Sequence, residues 1–200
     1  MHDRAREVGL REIYTPVDED AKRDLAGELV QAEALLQTLP PMERGRAMQI
    51  ALRRLAFQAI YQFDASPAAS AADIEVFLER VPGMSAKDID RAGELIAGAW
   101  GARAEADKEL GELSPDWPVH RLAGVDRAIM RLAHYEITAG VVHPRIAVNE
   151  AVELAKAFST EKSPAFINAI LDRVLKRVLG DKAEQDPPEG TGVLEPGRGS

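Results

Sequence analysis

From residue 44 to residue 54 the chain reads RGRAMQIALRR, four arginines with no acid among them. Guanidinium groups fork onto phosphate oxygens, and an aromatic ring beside them can stack a base, so this run with Phe57 carries the chemistry of single-stranded RNA recognition. Wound at about 100° per residue from Arg46, Arg53 falls at about −20°, Phe57 at about 20°, Ile50 at about 40° and Arg54 at about 80°. Leu52, Ala56, Ala59 and Phe63 gather at about 240–260° as a core stripe. The wheel therefore predicts Arg46, Arg53 and Arg54 on an outward face shared with Ile50 and Phe57, with Arg44 upstream in the same helix. The competing reading covers Ile50 and Phe57 with the preceding helix and pairs the arginines with its acids.

Little else in the chain points to chemistry. The histidines, His2, His120, His134 and His143, never stand at i, i+4, and no H-E-x-x-H occurs, so no metal site is expected. The absence of Cys rules out disulfides, zinc thiolates and thiol nucleophiles. There is no G-x-S-x-G, and the nearest glycine cluster, Gly93 to Gly101, lies within a helical pattern. Glu150 and Glu153 have helical spacing and read as a solvated face. The sequence thus predicts neither enzymatic activity nor a cofactor.

The elements that must position the arginines are helical. In 200 residues the hydrophobic fraction is 46% but aromatics make up 5%, and no segment alternates with period two long enough for a strand. Apolar stripes predict helices over 20–39, closed by Pro40-Pro41, and over 43–64. Further helices are expected from Ser70 or Ala71 to about Arg80, closed by Pro82-Gly83, and from a Ser85/Asp88 capping box to about Leu113. Ser114-Pro115 and Ser163-Pro164 read as N-caps followed by proline. Leu122 to Gly140, His143-Pro144 onward (Ile146, Val148, Ala151, Val152 and Ala155 inward) and Ser163 to Gly180 (Phe166, Ile167, Ile170, Leu171, Val174 and Val178 inward) complete the set. The predicted fold is all-α, two packed small helical bundles of about seven helices, with an extra N-terminal helix. The divisions are an N-terminal extension over 1–40, a helical domain over 41–180 and a disordered acidic tail over 181–200. Net charge is −8, of which −4 lies in 1–40 and −3 in 181–200, leaving the middle nearly neutral. A generic nucleic-acid binder is therefore excluded, and RNA affinity needs a local patch. No apolar stretch is long enough for a membrane span and no signal-peptide pattern opens the chain, so a cytoplasmic protein is expected.

The C-terminal half carries a more specific pattern. DWPVHRLAGVDRAIMRLAHYEI begins at Asp116, and PRIAVNEAVELAKAFSTEKSPAFINAILDRVLKRV begins at Pro144. Arg131-Leu132-Ala133-His134-Tyr135-Glu136, the block from Asn149 to Lys156, and Ser163 to Asp172 resemble the last helices of the NusB family of bacterial transcription antitermination factors. LAFQAIY at 55–61 is similar to that family's first helix, so the resemblance spans about 43–180. It implies two helical subdomains, no catalysis and no cofactor. It also implies pairing with the ribosomal protein NusE, binding of boxA-type RNA in nascent transcripts, and assembly with RNA polymerase and other Nus factors to suppress termination in ribosomal RNA operons.

Residue by residue, the resemblance implies RNA contacts at Arg44, Arg46, Arg53, Arg54 and Phe57 on the first helix, and at Lys162 and Phe166 where the last begins. Arg53 matches the family's last arginine there, whereas the leading arginine pair is here Ile50-Ala51. Partner contacts are implied at Tyr61, His120 and Asp126, the last as an acid facing a basic ribosomal protein. Some family members self-associate through the RNA-binding face, so the resemblance is compatible with either a monomer or a homodimer. The acidic extension is predicted to pack beside the arginine helix and compete with RNA. The alternative keeps the fold and drops the RNA: a helical protein–protein interaction module.

Overall fold

The computed structural model describes residues 40–65, 70–79, 81 and 85–180. The helix expected over 20–39, the closure at Pro82-Gly83 and the tail over 181–200 lie outside the described residues. Within them the chain forms α1 (Pro41–Asp64), α2 (Ala71–Glu79), α3 (Ala86–Gly101), α4 (Arg103–Leu113), a 3₁₀ turn (Val119–Arg121), α5 (Gly124–Thr138), α6 (Pro144–Phe158) and α7 (Ser163–Leu179). No strand occurs among the described residues. Helices α1, α2 and α3 pack into one bundle and α5, α6 and α7 into another, with α4 spanning to both α5 and α7. A single hydrophobic core runs through both bundles.

Local sequence explains most boundaries. Pro41 suits the first position of α1, where its missing N–H costs nothing. The residues of α1 that enter the core, Leu52, Leu55, Ala56, Phe57, Ala59, Ile60 and Phe63, recur at steps of one, two and three. Ser85 caps α3 as predicted: its Oγ accepts from the Asp88 N–H at 3.3 Å and donates to Asp88 Oδ2 at 2.6 Å. Gly140 takes φ of +65° just beyond α5, and the Val141 N–H donates to the Glu136 carbonyl at 3.1 Å, closing the helix with a left-handed glycine.

Four expectations are corrected. The helix expected over 85–113 breaks at Ala102 into α3 and α4. Gly101 is a weak helix former, and Arg103 takes up the Trp100 carbonyl through Nη1 at 2.7 Å while lying 4.4 Å from the Trp100 ring centroid. Ser114 ends α4 rather than starting a helix, its hydroxyl donating within reach of the Leu110 and Trp117 carbonyls at 3.0 and 2.9 Å. Ser163 is the first residue of α7, not its cap, because its hydroxyl is engaged elsewhere. Ile146 and Val178 are exposed, since the inward positions of α6 and α7 are Ala147, Ala151, Leu154 and Ala155, and Ile167, Ile170, Leu171, Val174 and Leu175.

Helix α5 is the axis, packing against α1, α3, α4, α6 and α7. A helix so enclosed must be apolar nearly all round, and Ala128, Ile129, Met130, Leu132, Ala133 and Ile137 are buried. It also buries Asp126, Arg131, His134 and Glu136, and each has a partner on another element. Unpaired, such groups would cost several kcal/mol apiece (roughly, in real proteins). Arg131 forks onto both oxygens of Asp107 at 2.7 Å and reaches Asp64 at 2.6 Å, tying α5 to α4 and α1. His134 Nε2 lies 2.9 Å from Glu109 Oε2 on α4. Tyr135 sits close against α3: a Cβ on Gly98 would fall 2.1 Å from its Cζ and hydroxyl oxygen, so any larger residue there must push the ring aside.

Candidate nucleic-acid interface

The run of arginines divides into two environments along α1. Arg44 and Arg46, on the first turns, are exposed together with Gln49. Two turns later the helix enters the core. Arg53 is 5% exposed and donates from Nε to Glu136 Oε1 at 2.7 Å. Phe57 is 4% exposed, with its ring centroid 5.3 Å from that of Phe158 at the end of α6. Arg54 is half-buried, its guanidinium carbon 6.0 Å from the Phe158 ring centroid. The outward face expected for Arg53 and Phe57 is thus corrected. Helices α3 and α5 pack on α1 and the Phe158 ring meets Phe57, which buries both side chains.

Lys162 and Phe166 sit at the start of α7. Lys162 is exposed, and Phe166, one turn on, is half-buried against the core. The segment leading to them is pinned by Asp126, which sequence reasoning placed on a partner-facing surface. Asp126 is 8% exposed, and its carboxylate accepts from Ser159 Oγ at 2.5 Å and from Ser163 Oγ at 2.9 Å. With its one hydroxyl hydrogen on Asp126, Ser163 accepts from Thr160 at 2.8 Å. The acid therefore organises the segment that carries Lys162 rather than presenting charge to solvent. Phe158 joins the two regions, since its ring meets Phe57 and Arg54 of α1 while its chain leads directly into that segment.

Tyr61 and His120 occupy a second area. Tyr61 is 46% exposed, and its ring lies over Gly124, where an added Cβ would stand 3.2 Å from Cε2. One turn on, Asp64 pairs with Arg127, whose Nη1 also reaches the Val119 and Leu122 carbonyls at 3.4 and 3.3 Å. This ties the 3₁₀ turn bearing exposed His120 to the end of α1. A cleft of about 580 Å³ opens there, lined among others by Asp64, Asp107, His120, Arg127 and Arg131. Burial pushes the Asp64 carboxyl up, but Arg131 and Arg127 outweigh it and hold the group below its ordinary range. Beyond the cleft Trp117 is 61% exposed.

Sequence reasoning singled out neither Phe158 nor Ser159, and it read Ser163 only as a helix cap. An aromatic closing an amphipathic helix, followed by three hydroxyl residues within five, was the available signal. Trp117 was legible only as part of a motif, although its Pro-flanked setting marks a loop. No cluster of three or more metal-ligating side chains occurs among the described residues, and none of the described helices is long and apolar enough to cross a membrane.

Comparison with known proteins bears on this arrangement. The profile of the NusB family matches residues 51–176. The chain is 36% identical over 143 residues to the transcription antitermination protein NusB of Nitratidesulfovibrio vulgaris, covering 68% of this chain and 94% of that protein. It is 39% identical over 136 residues to the NusB of Symbiobacterium thermophilum, covering 64% and 89%. Among solved structures, T. maritima NusB aligns at TM-score 0.58 with 29% identity, over 64% of this chain and 89% of that one. A structure of the antitermination factors NusB and NusE with double-stranded RNA aligns at TM-score 0.59 with 21% identity, over 65% and 97%, a likeness of fold. The all-helical architecture, the matched span and these relatives agree: the chain belongs to the NusB family, whose members are transcription antitermination proteins and not enzymes.

Proposed function

We propose that this protein pairs with the ribosomal protein NusE and binds boxA-type RNA in nascent ribosomal transcripts. The pair then joins RNA polymerase and other Nus factors in the cytoplasm to suppress termination. The observation that carries the reading is the exposure of Arg44 and Arg46 on α1 and of Lys162 just before α7, with Phe158, four residues before Lys162, packed on Phe57 and Arg54 of α1. Arg54 and Phe166, both half-buried, are the further residues offered to phosphates and a stacked base in this reading. The naming of a NusB relative in complex with NusE and RNA supports the choice of partners. Tyr61 and His120 are the partner-facing residues, and Trp117 extends that area with a large aromatic of the kind that anchors protein interfaces.

Arg44, Arg46 and Lys162 alone, on a domain with a nearly neutral middle, give modest attraction, and it weakens with salt. A basic ribosomal partner supplies the remaining positive surface. Fluorescence anisotropy with a boxA-like RNA checks this: binding is weak for the chain alone and tightens when NusE is added. Equal affinity with and without NusE counts against it.

A further inference from the structure

Helices α3 and α5 pack on α1, yet Ala47, Ile50 and Ala51 are only half-buried, and Arg46 beside them is exposed. With Arg46 at zero on the wheel, Ile50, Ala47 and Ala51 stand at about 40°, 100° and 140°, one strip of small and apolar side chains along α1. Arg46 makes no ion pair with another described residue.

The chain just ahead of α1 complements that strip. From Asp24 to Leu39 it carries three acids, Asp24, Glu28 and Glu33, and no base, whereas the run from Arg44 to Arg54 carries four arginines and no acid. Leu25, Leu29, Ala32 and Leu36 recur at steps of four and three, the spacing of an amphipathic helix. On such a helix these four span about 60°, and Glu28 and Glu33 stand about 40° beyond either edge. Leu39 and Pro40 each precede a proline, which disfavours helix at both, and Pro40 is extended with φ of −54° and ψ of 148°. Two helices joined by so short a connection form an antiparallel hairpin. Residues equally far from the connection then lie alongside: Glu33 by Arg46, Ala32 by Ala47 and Leu29 by Ile50.

We propose, on the reading of Arg46 as an RNA contact, that the segment 24–39 folds back along α1 and masks the RNA-facing surface of its own chain. Leu29, Ala32 and Leu36 seat on Ala47, Ile50 and Ala51, and the carboxylates of the segment stand against Arg46. An incoming phosphate must displace a carboxylate already beside the guanidinium and break an apolar contact to do so. The segment is thus an intramolecular competitor of RNA, and the electrostatic part of its competition fades with salt.

The chain has no Cys, so a disulfide between introduced cysteines reports the contact without background. Full-length Leu29→Cys/Ile50→Cys is compared with Gln31→Cys/Ile50→Cys, whose first position has a similar tether but lies on the opposite face of the segment's helix. Under mild oxidation the first pair closes within one chain and the second stays reduced. RNA affinity is then measured by anisotropy on a single-stranded boxA-type oligonucleotide with saturating NusE. The locked form is set against Leu29→Asp/Leu36→Asp, which adds negative charge but destroys the apolar seat. At low salt the locked form binds RNA at least about tenfold more weakly than that released variant, with the wild type between them. If the released variant does not fold, Asp24→Asn/Glu28→Gln/Glu33→Gln takes its place, removing the carboxylates and keeping the stripe. Closure of both cysteine pairs alike, or of neither, overturns the inference, as does equal RNA affinity of the locked and released forms. If neither the wild type nor the released variant binds RNA with NusE present, the proposed function falls instead, and the cross-link still judges whether the segment docks on α1.

Discussion

Arg53 Nε donates to Glu136 Oε1 at 2.7 Å across the seam between α1 and α5, and both side chains are almost wholly buried. One arginine of a run that looks made for phosphates is thereby spent inside the fold. Burial pushes the Glu136 carboxyl up, Arg53 pulls it down, and the nearby Glu150 charge adds to the rise, leaving it above its ordinary range. Breaking such a pair from one side strands the other member. Arg53→Ala and Glu136→Ala are each expected to cost roughly 3–5 kcal/mol in urea unfolding, against less than about 0.5 kcal/mol for exposed Arg46→Ala. Equal, small costs for Arg53 and Arg46 would contradict the buried pairing.

The contact between Gly98 and Tyr135 makes a second prediction. A methyl group on Gly98 would overlap the Tyr135 ring, at 2.1 Å from its Cζ and hydroxyl oxygen. Gly98→Ala should destabilise the protein by about 1–3 kcal/mol through forced displacement of the ring. Tyr135→Ala on top of it should add much less than it does alone. A double-mutant cycle measures that coupling, and strict additivity would show that α3 and α5 do not approach so closely.

Acid sensitivity follows from Asp64, which meets both Arg127 and Arg131. Its folded-state value lies below the ordinary 3.8, so the unfolded chain binds the proton more readily. The stabilisation it gives is fully present above about pH 4 and is lost as pH falls through the lowered value. Glu136 works the other way: its folded-state value is raised above the ordinary 4.5, so its contribution is largest in acid and declines as pH rises through the raised value. Urea unfolding at a series of pH values should therefore show that Asp64→Asn lowers stability at pH 7 and flattens the loss below about pH 4. A wild-type acid slope in Asp64→Asn would reject this assignment.

Much of the fold could be read from the chain because periodic apolar residues and Pro, Gly and Ser punctuation fix helices locally. The capped start of α3, the proline start of α6 and the Gly140 stop of α5 are all of this kind. Side-chain direction was harder. A helical wheel gives angles but not which neighbours arrive, so it set Arg53 and Phe57 beside Arg46, whereas α5 and Phe158 close over both. Asp126, marked by the resemblance alone, is another case: nothing local in the sequence brings Ser159 and Ser163 to its carboxylate, and only the packed segment does so. The exposed positions, Arg44, Arg46, Tyr61, His120 and Lys162, needed no such information and stand on the surface.

Salt dependence separates phosphate contacts from other effects. With NusE present, log affinity for single-stranded RNA should fall linearly with log salt, and Arg46→Ala or Lys162→Ala should each reduce the slope by about 0.7. Asp126→Ala should weaken binding through disorder of the segment while changing the slope little. An unchanged slope in both cation variants would remove Arg46 and Lys162 from the phosphate contacts.

The most direct measurement is RNA capture by the assembled pair when the outward charges are reversed. Arg46→Glu/Lys162→Glu leaves the buried Arg53–Glu136 pair intact, so it should fold with wild-type stability and bind NusE as before. Anisotropy with boxA-like RNA and saturating NusE should then show affinity reduced by about a hundredfold or more at low salt. If that folded, NusE-bound variant captures RNA as tightly as the wild type, the transcript is held elsewhere and the account is wrong.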